Sequence, residues 1–486
     1  MKAGKKFVFD VAWVLLANVS VIGVTFLQRM FIARVMGAEE LGAYSIIMSI
    51  YAIGTAFVGL GLPMAITKYI AEYKVDETRL QSFVSVTIFM TAALGVFASI
   101  LMVGLANPLA RLLNIPQFYR DVLLLSFVFP FSTIFFIALA ILNGKREMRY
   151  YSILLTAQNG LFLLISLLLL WSGWGLKSIL IALWLSIVLL TAFPIFQNRI
   201  YLTFRLKISR LISNAKQLLQ FGIKVVVTDL VNQVNIYADF LILGCFLSPD
   251  RVGFYTVAIS ISRLIVMIPV GIQKITYPAA SEFWAKKDNI NLNKMVNKTI
   301  KYSSISTIIL GVGISFFAQE IIEIIFGKDF ISAWLPMIIL ILGVVLQGAL
   351  IQSLGGLLSA IGRPELSLKV DTLTVAINLG LNFILIPSWG LLGAAISKSI
   401  SLIGNTIIKI MLFSSVVKLK LELKPFYLIT LTAIPLFFVK WLFLIQVNSI
   451  ISNSIVFLVY LLGVIILYFS VYKEDIKLCK SLLKLE

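Results

Sequence analysis

Apolar runs recur along the whole chain, each broken by a short charged or Gly/Pro-bearing stretch. A run of about 20 largely uncharged residues is what a helix needs to cross a bilayer. The pattern predicts one series of helices over 10–35, 41–68, 82–107, 121–143, 150–172 and 176–197. A second series covers 217–246, 252–278, 300–318, 334–361, 366–387 and 391–415, and two more follow at 425–445 and 451–472. The connecting segments are short, so no soluble domain is inserted. The expected fold is all-α and integral to the membrane, with about fourteen spans.

Lysine and arginine test that count. With the N-terminus in the cytoplasm, the segments predicted to lie inside hold twenty-eight basic residues, among them Lys2, Lys5 and Lys6, Lys145, Arg146 and Arg149, and Lys473, Lys477, Lys480 and Lys484. The external loops hold five: Arg111, Arg120, Lys177, Arg251 and Lys328. Positive charge collects on the cytoplasmic side of multi-span proteins, and a wrong helix count would scramble the bias. Both termini are therefore expected on the cytoplasmic side of a cell membrane. The basic N-terminal residues have no small-residue cleavage pattern after them and are read as the start of a retained first helix.

The sequence also repeats. Met36-Gly37-Ala38-Glu39-Glu40-Leu41-Gly42-Ala43-Tyr44-Ser45 returns as Leu247-Ser248-Pro249-Asp250-Arg251-Val252-Gly253-Phe254-Tyr255-Thr256, an offset of 211. Gly144-Lys145-Arg146-Glu147 matches Gly362-Arg363-Pro364-Glu365, and Trp174-Gly175-Leu176 matches Trp389-Gly390-Leu391. Each half holds six predicted helices, an even number, so the halves run in the same sense, as in transporters with parallel repeats. The organisation expected is a six-helix lobe over 1–210, a second over 211–418, and two additional helices with a basic tail over 419–486.

Composition narrows the chemistry. Of the 486 residues 60% are apolar and 13% charged, against about 25% charged in soluble chains. The net charge of +19 is dealt out among loops, without the basic patch that nucleic acid requires. There is no histidine, which removes the commonest general base and metal ligand. Cys245 and Cys479 have no ligand spacing and fall on opposite predicted faces, so neither a disulfide nor a metal site is expected. No G-x-x-x-x-G-K-[ST] loop is present, so no cofactor and no ATP hydrolysis are expected; any energy would come from a proton or sodium gradient or from substrate flow. The chain reads as a transporter and not as an enzyme.

Charges inside a bilayer cost about 2.5–3.5 kcal/mol each and face a cavity or a partner. On the seventh predicted span Lys224, Thr228, Asn232, Asn235 and Asp239 step by four, four, three and four, which sets them on one helix face. Asp229 and Gln233 sit beside them. The first span carries a weaker stripe of Asn18, Thr25 and Arg29, with Gln28 adjacent, and the eighth adds Ser260 and Arg263. Basic groups outnumber acidic ones here, so the two polar faces suit either a wet cavity for an anionic solute or a set of internal ion pairs. Arg34, Lys274, Lys409 and Lys440 stand near helix ends and are expected to reach the interface. Pro130 and Pro269 should kink their helices, and Gly390, Ala394, Ser397 and Ser401 form a small-residue packing stripe.

The segment Ala33-Arg34-Val35-Met36-Gly37-Ala38-Glu39-Glu40-Leu41-Gly42, with Gly59-Leu60-Gly61-Leu62-Pro63 and Lys68-Tyr69-Ile70-Ala71, resembles the start of polysaccharide-export flippases. These are the Wzx-type lipid-linked oligosaccharide translocases of the MATE-like multidrug/oligosaccharidyl-lipid/polysaccharide superfamily. Ile386-Pro387-Ser388-Trp389-Gly390-Leu391-Leu392-Gly393-Ala394-Ala395 is similar to that family's stretch entering the twelfth span. The resemblance implies a V-shaped pair of six-helix lobes working by alternating access on an oligosaccharide carried by a polyprenyl (pyro)phosphate. Its partners would be the bilayer, that lipid-linked sugar and glycan-assembly membrane proteins. Arg29, Lys224 and Arg263 would then meet the phosphate, and Gln28, Asn232 and Asn235 the sugar. Asp229 and Asp239 would balance charge or couple an ion, and the last two helices would offer a groove to the lipid. The rival readings are a MATE-type cation-coupled drug antiporter, a lipid II-type flippase, and a non-transporting scaffold for glycan assembly.

Overall fold

The computed structural model describes residues 3–73, 76–113, 118–171, 173–196 and 208–417, and beyond them 422–424, 426–427, 430–431 and 456–464. The described residues form helices and the turns between them. In order these are α1 (Ala3–Gly59), α2 (Leu62–Glu72), α3 (Glu77–Leu112), α4 (Phe118–Ser126), α5 (Val128–Gly144), α6 (Met148–Leu170), α7 (Leu176–Phe196) and α8 (Ile208–Phe246). There follow α9 (Pro249–Leu264), α10 (Met267–Ala285), α11 (Asn289–Phe316), α12 (Ala318–Ile325), α13 (Trp334–Leu350), α14 (Leu357–Ala360), α15 (Pro364–Trp389) and α16 (Leu391–Val416). Among the described residues eight helices are long and apolar enough to cross a membrane, or up to ten if each of two bent pairs is one span. Most of the thirteenth predicted span, part of the fourteenth and Cys479 lie outside the described residues.

The breaks follow from local chemistry. The two predicted helices at the N-terminus are one continuous run with a kink at Gly37, whose φ of 84° ends one helical path and starts the next. The predicted span 41–68 is interrupted at Leu60–Gly61, where both residues take positive φ, so α1 stops and α2 begins. The prolines act as expected. α4 and α5 meet at a 43° bend and α9 and α10 at a 47° bend. Pro130 and Pro269 stand three residues into the helix after each bend. A proline ring clashes with the carbonyl four residues before it, which is Ser126 in one case and Ile265 in the other. Outside the spans, Asp76 and Asp288 cap α3 and α11 by accepting the Arg79 and Asn291 backbone N–H groups, each at 3.0 Å. Those bonds hold both carboxyls below the usual carboxylate range.

Packing divides the chain into two compact units. One comprises Met1–Thr256 with Leu379–Ala394, the other Val257–Asn378 with Ala395–Glu486. In the first, Leu62, Ile66 and Ile70 of α2 bury against Phe83 of α3, Ile137 and Ile141 of α5 and Leu218 of α8. In the second, Ile300 of α11 packs with Leu350 of α13 and Phe413 of α16. There Val312 and Phe316 of α11 receive Tyr460 and Val464 from the helical segment 456–464. Trp171, Trp174, Trp284, Trp334 and Trp389 stand at helix ends in the manner of interface anchors, with Trp171 92% exposed.

The repeat is visible in the fold. Trp174 and Trp389 are 56% and 57% exposed, Gly175 and Gly390 after them take φ of 58° and 56°, and each pair opens a helix, α7 and α16. Within the first unit, residues 211 apart touch: the Thr256 hydroxyl donates to the Ser45 hydroxyl at 2.7 Å. A Cβ on Gly42 would collide with the Pro249 carbonyl, and one on Gly253 with the Ala38 carbonyl. Since Ala38 and Pro249 are themselves repeat equivalents, the contact is reciprocal.

Candidate functional site

The predicted polar face of α8 exists as one helix and changes environment along its length. Lys224, Thr228 and Asn232 are exposed, Asn235 is half-buried, and Asp239 has no solvent access. Lys224 stands eight residues, about 12 Å, past Lys216. It makes no ion pair or hydrogen bond among the described residues. A cation placed there has either water or an anion for company.

The buried end of the face is a built network. Asp239 accepts from the Tyr255 hydroxyl at 3.3 Å and from the Asn382 side-chain amide at 2.8 Å. Its repeat equivalent is Gln28, likewise buried, which accepts from the Tyr44 hydroxyl at 3.5 Å. Tyr44 and Tyr255 are also 211 apart, so the same tyrosine–acceptor pair is built twice, once with an amide and once with a carboxylate. Tyr44, Tyr255 and Asn382 were absent from the sequence-derived set. The repeat register relates both tyrosines to that set; Asn382 carries no such signal, because α15 meets α8 only through the fold.

The remaining predicted residues fall as follows. Arg29 is half-buried on α1 within the first unit, one residue from Gln28. Arg263 is half-buried in the last turn of α9 and belongs to the second unit. Asp229, half-buried on α8, lines a cavity of about 370 Å³ together with Gln233 and residues of α1, α2, α3, α5 and α6. A separate cavity of about 560 Å³ in the first unit is mixed in charge, with Glu39, Glu40 and Asp121 beside Arg120 and Lys177. In the second unit an apolar cavity of about 370 Å³ lies between α11 and α13 and includes Phe426 and Thr430.

One expectation is corrected. Lys409 does not reach an interface: it is 8% exposed and pairs with Asp371 of α15 at 2.7 Å. Asn405 donates to the same Asp371 oxygen at 2.8 Å and Ser367 to the other at 3.1 Å. A lysine whose stem is enclosed by helices cannot snorkel, so it takes a carboxylate partner instead. The small-residue stripe packs as expected, with Ala394 and Ser397 fully buried and Ser401 bonded to the Thr374 carbonyl at 2.8 Å. Among the described residues no three His, Cys, Asp or Glu side chains gather where they could hold a metal ion.

The family described as polysaccharide biosynthesis protein matches residues 31–338, well over half of the chain. The chain belongs to that family. Among curated relatives, a probable low-salt glycan biosynthesis flippase of Haloferax volcanii is 24% identical over 416 residues, covering 84% of this chain and 83% of its own. A putative O-antigen transporter of Shigella flexneri is 22% identical, covering 78% and 90%. Among solved structures, the lipid II flippase MurJ in an inward closed conformation superposes with a TM-score of 0.79 at 19% identity, over 95% of this chain and 99% of that one. An inward-facing multidrug resistance MATE family transporter follows at 0.67 and 15%, over 83% and 98%. The family member described here therefore has the fold shared by MurJ and the MATE transporters.

Proposed function

We propose that this protein is a flippase that carries a polyprenyl (pyro)phosphate-linked oligosaccharide from the cytoplasmic to the outer leaflet of the cell membrane, for cell-surface polysaccharide export. The observation that carries the reading is Lys224, a cation inside an apolar span with no partner among the described residues. An anionic headgroup supplies the missing charge, and phosphate binds a cation strongly where water is scarce. The relatives named as flippases and as an O-antigen transporter support the same cargo class.

In this proposal Arg29, Lys224 and Arg263 neutralise the phosphate, while Asn232 and Asn235 bond sugar hydroxyls and Gln28 orders the α1 end of the path. The headgroup moves between two six-helix lobes by alternating access, and the apolar cavity beside Phe426 takes the lipid tail. Both termini lie in the cytoplasm, and the oligosaccharide is handed over by membrane proteins of glycan assembly. The test is reconstitution. Liposomes with the purified chain should expose a labelled, short-tailed, pyrophosphate-linked oligosaccharide to an impermeant lectin, and protein-free liposomes should not. Failure to expose any such headgroup, with proton- or sodium-driven efflux of an organic cation instead, would replace this reading by an antiporter.

A further inference from the structure

The mixed cavity of about 560 Å³ has no part in the path proposed above, and all of its lining belongs to the first unit. It is built where helices bend or begin. Glu39 and Glu40 follow the Gly37 kink of α1, Arg120 and Asp121 stand in the first turn of α4, and Lys177 stands in the first turn of α7, after Trp174. Asp121 is the residue that calls for a ligand. It is 8% exposed and lines the cavity, yet among the described residues its carboxylate accepts no hydrogen bond and joins no ion pair. The first turn of α4 eases a negative charge there, but a buried carboxylate without a donor or a counter-ion remains costly. Glu39, Glu40, Arg120 and Lys177 likewise make no hydrogen bond or ion pair among the described residues, although both signs of charge line the same space.

An unpaired set of both signs selects its ligand. A lone anion would face three carboxylates. A lone metal ion would leave Arg120 and Lys177 without a partner, and among the described residues no three His, Cys, Asp or Glu side chains gather to hold one. A neutral sugar would leave the charge of Asp121 uncompensated. A ligand with a cationic and an anionic end satisfies both sets. Its ammonium meets Asp121 and Glu40, and the rings of Tyr119 and Trp174 in the same lining favour a cation. Its phosphate meets Arg120 and Lys177, helped by the partial positive charge at the start of α7. Tyr119 and Trp174 are exposed near helix starts, the level at which such aromatics meet lipid headgroups. On the sidedness proposed above that level is the outer leaflet.

We propose that this cavity holds the headgroup of a zwitterionic phospholipid, its ammonium on Asp121 and its phosphate on Arg120 and Lys177. Occupancy does not depend on flipping, so binding is tested by itself. The full chain in detergent is titrated with a short-tailed phosphatidylethanolamine or with the matching phosphatidylglycerol, which has the phosphate and lacks the ammonium. Bound lipid is counted by native mass spectrometry. Wild type retains phosphatidylethanolamine at about tenfold lower concentration than phosphatidylglycerol. Asp121→Asn, alike in size, brings the two lipids close to equal. Equal binding of both by wild type, or an undiminished preference in folded Asp121→Asn, overturns the site.

Should that variant fail to fold, Arg120→Gln changes an exposed side chain of the same lining. It weakens phosphatidylethanolamine binding by about tenfold, and unchanged binding overturns the site. An ammonium and a phosphate a few bonds apart also occur in soluble O-phosphoethanolamine, which carries both charges without tails. It competes only at far higher concentration than the lipid. Displacement of the lipid by an equal concentration of O-phosphoethanolamine would assign the cavity to a soluble ligand and overturn the lipid proposal. Lipid retention in a chain that flips no lipid-linked sugar would leave this site standing and overturn the flippase reading alone.

Discussion

Asp239 shows how a single residue is fixed by what surrounds it. It has no exposure, and a carboxylate in that position is tolerated because Tyr255 and Asn382 both donate to it. Asp239→Ala strands both donors, and an unsatisfied buried donor costs roughly 1–3 kcal/mol. The variant should therefore unfold at a clearly lower temperature in detergent, and Asp239→Asn should lose less because it still accepts. A thermal scan of both variants checks this; equal stability of Asp239→Ala and wild type would contradict the network. The sequence placed Asp239 on the right face of α8 through its spacing. It could not show that this end of the face is closed while the Lys224 end is open, since spacing gives direction around a helix and not depth in the packing.

At the scale of elements, the breaks were legible wherever a residue forces them. Gly37, Pro130 and Pro269 each impose a local geometry, and the helices bend there or within one turn. The interruption at Leu60–Gly61 was not legible, because Leu60 with φ of 44° is held by its surroundings and not by its own preference. The pair of α15 and α16 was also misread. Lys409 looked like a residue near a helix end, yet Asp371, 38 positions earlier, meets it at 2.7 Å with side-chain exposures of 10% and 25%. Removing one partner of such a pair leaves a charge enclosed, at about 3 kcal/mol, somewhat less here because Asp371 keeps some water. Lys409→Met and Asp371→Leu should each destabilise by that order. The double variant should recover most of the loss, which a double-mutant cycle of thermal stability measures. Additive losses would show the pair to be uncoupled.

For the whole molecule, composition was enough for an all-helical membrane protein, while the 211-residue offset led to the expectation of two like halves over 1–210 and 211–418. The structure repeats the Trp-Gly-Leu helix starts and the two tyrosine pairs at the expected register. The sidedness makes its own prediction. With Cys245 and Cys479 replaced by serine, Arg146→Cys should react with an impermeant maleimide only from the cytoplasmic side and Lys177→Cys only from outside. The reverse pattern would invert the topology and with it the direction of transport.

The central claim is that a cation inside the span serves a phosphate on the cargo. The most direct measurement compares two labelled lipids in proteoliposomes, alike in sugar and tail, one with and one without the pyrophosphate, for wild type and for Lys224→Gln. A charge-assisted bond is worth about 1.5–3 kcal/mol, or roughly tenfold and more in rate. Wild type should flip the pyrophosphate lipid at least that much faster, and Lys224→Gln should erase most of the difference while leaving the neutral lipid unaffected. Equal rates for the two lipids in wild type, or an undiminished preference in well-folded Lys224→Gln, would contradict the account.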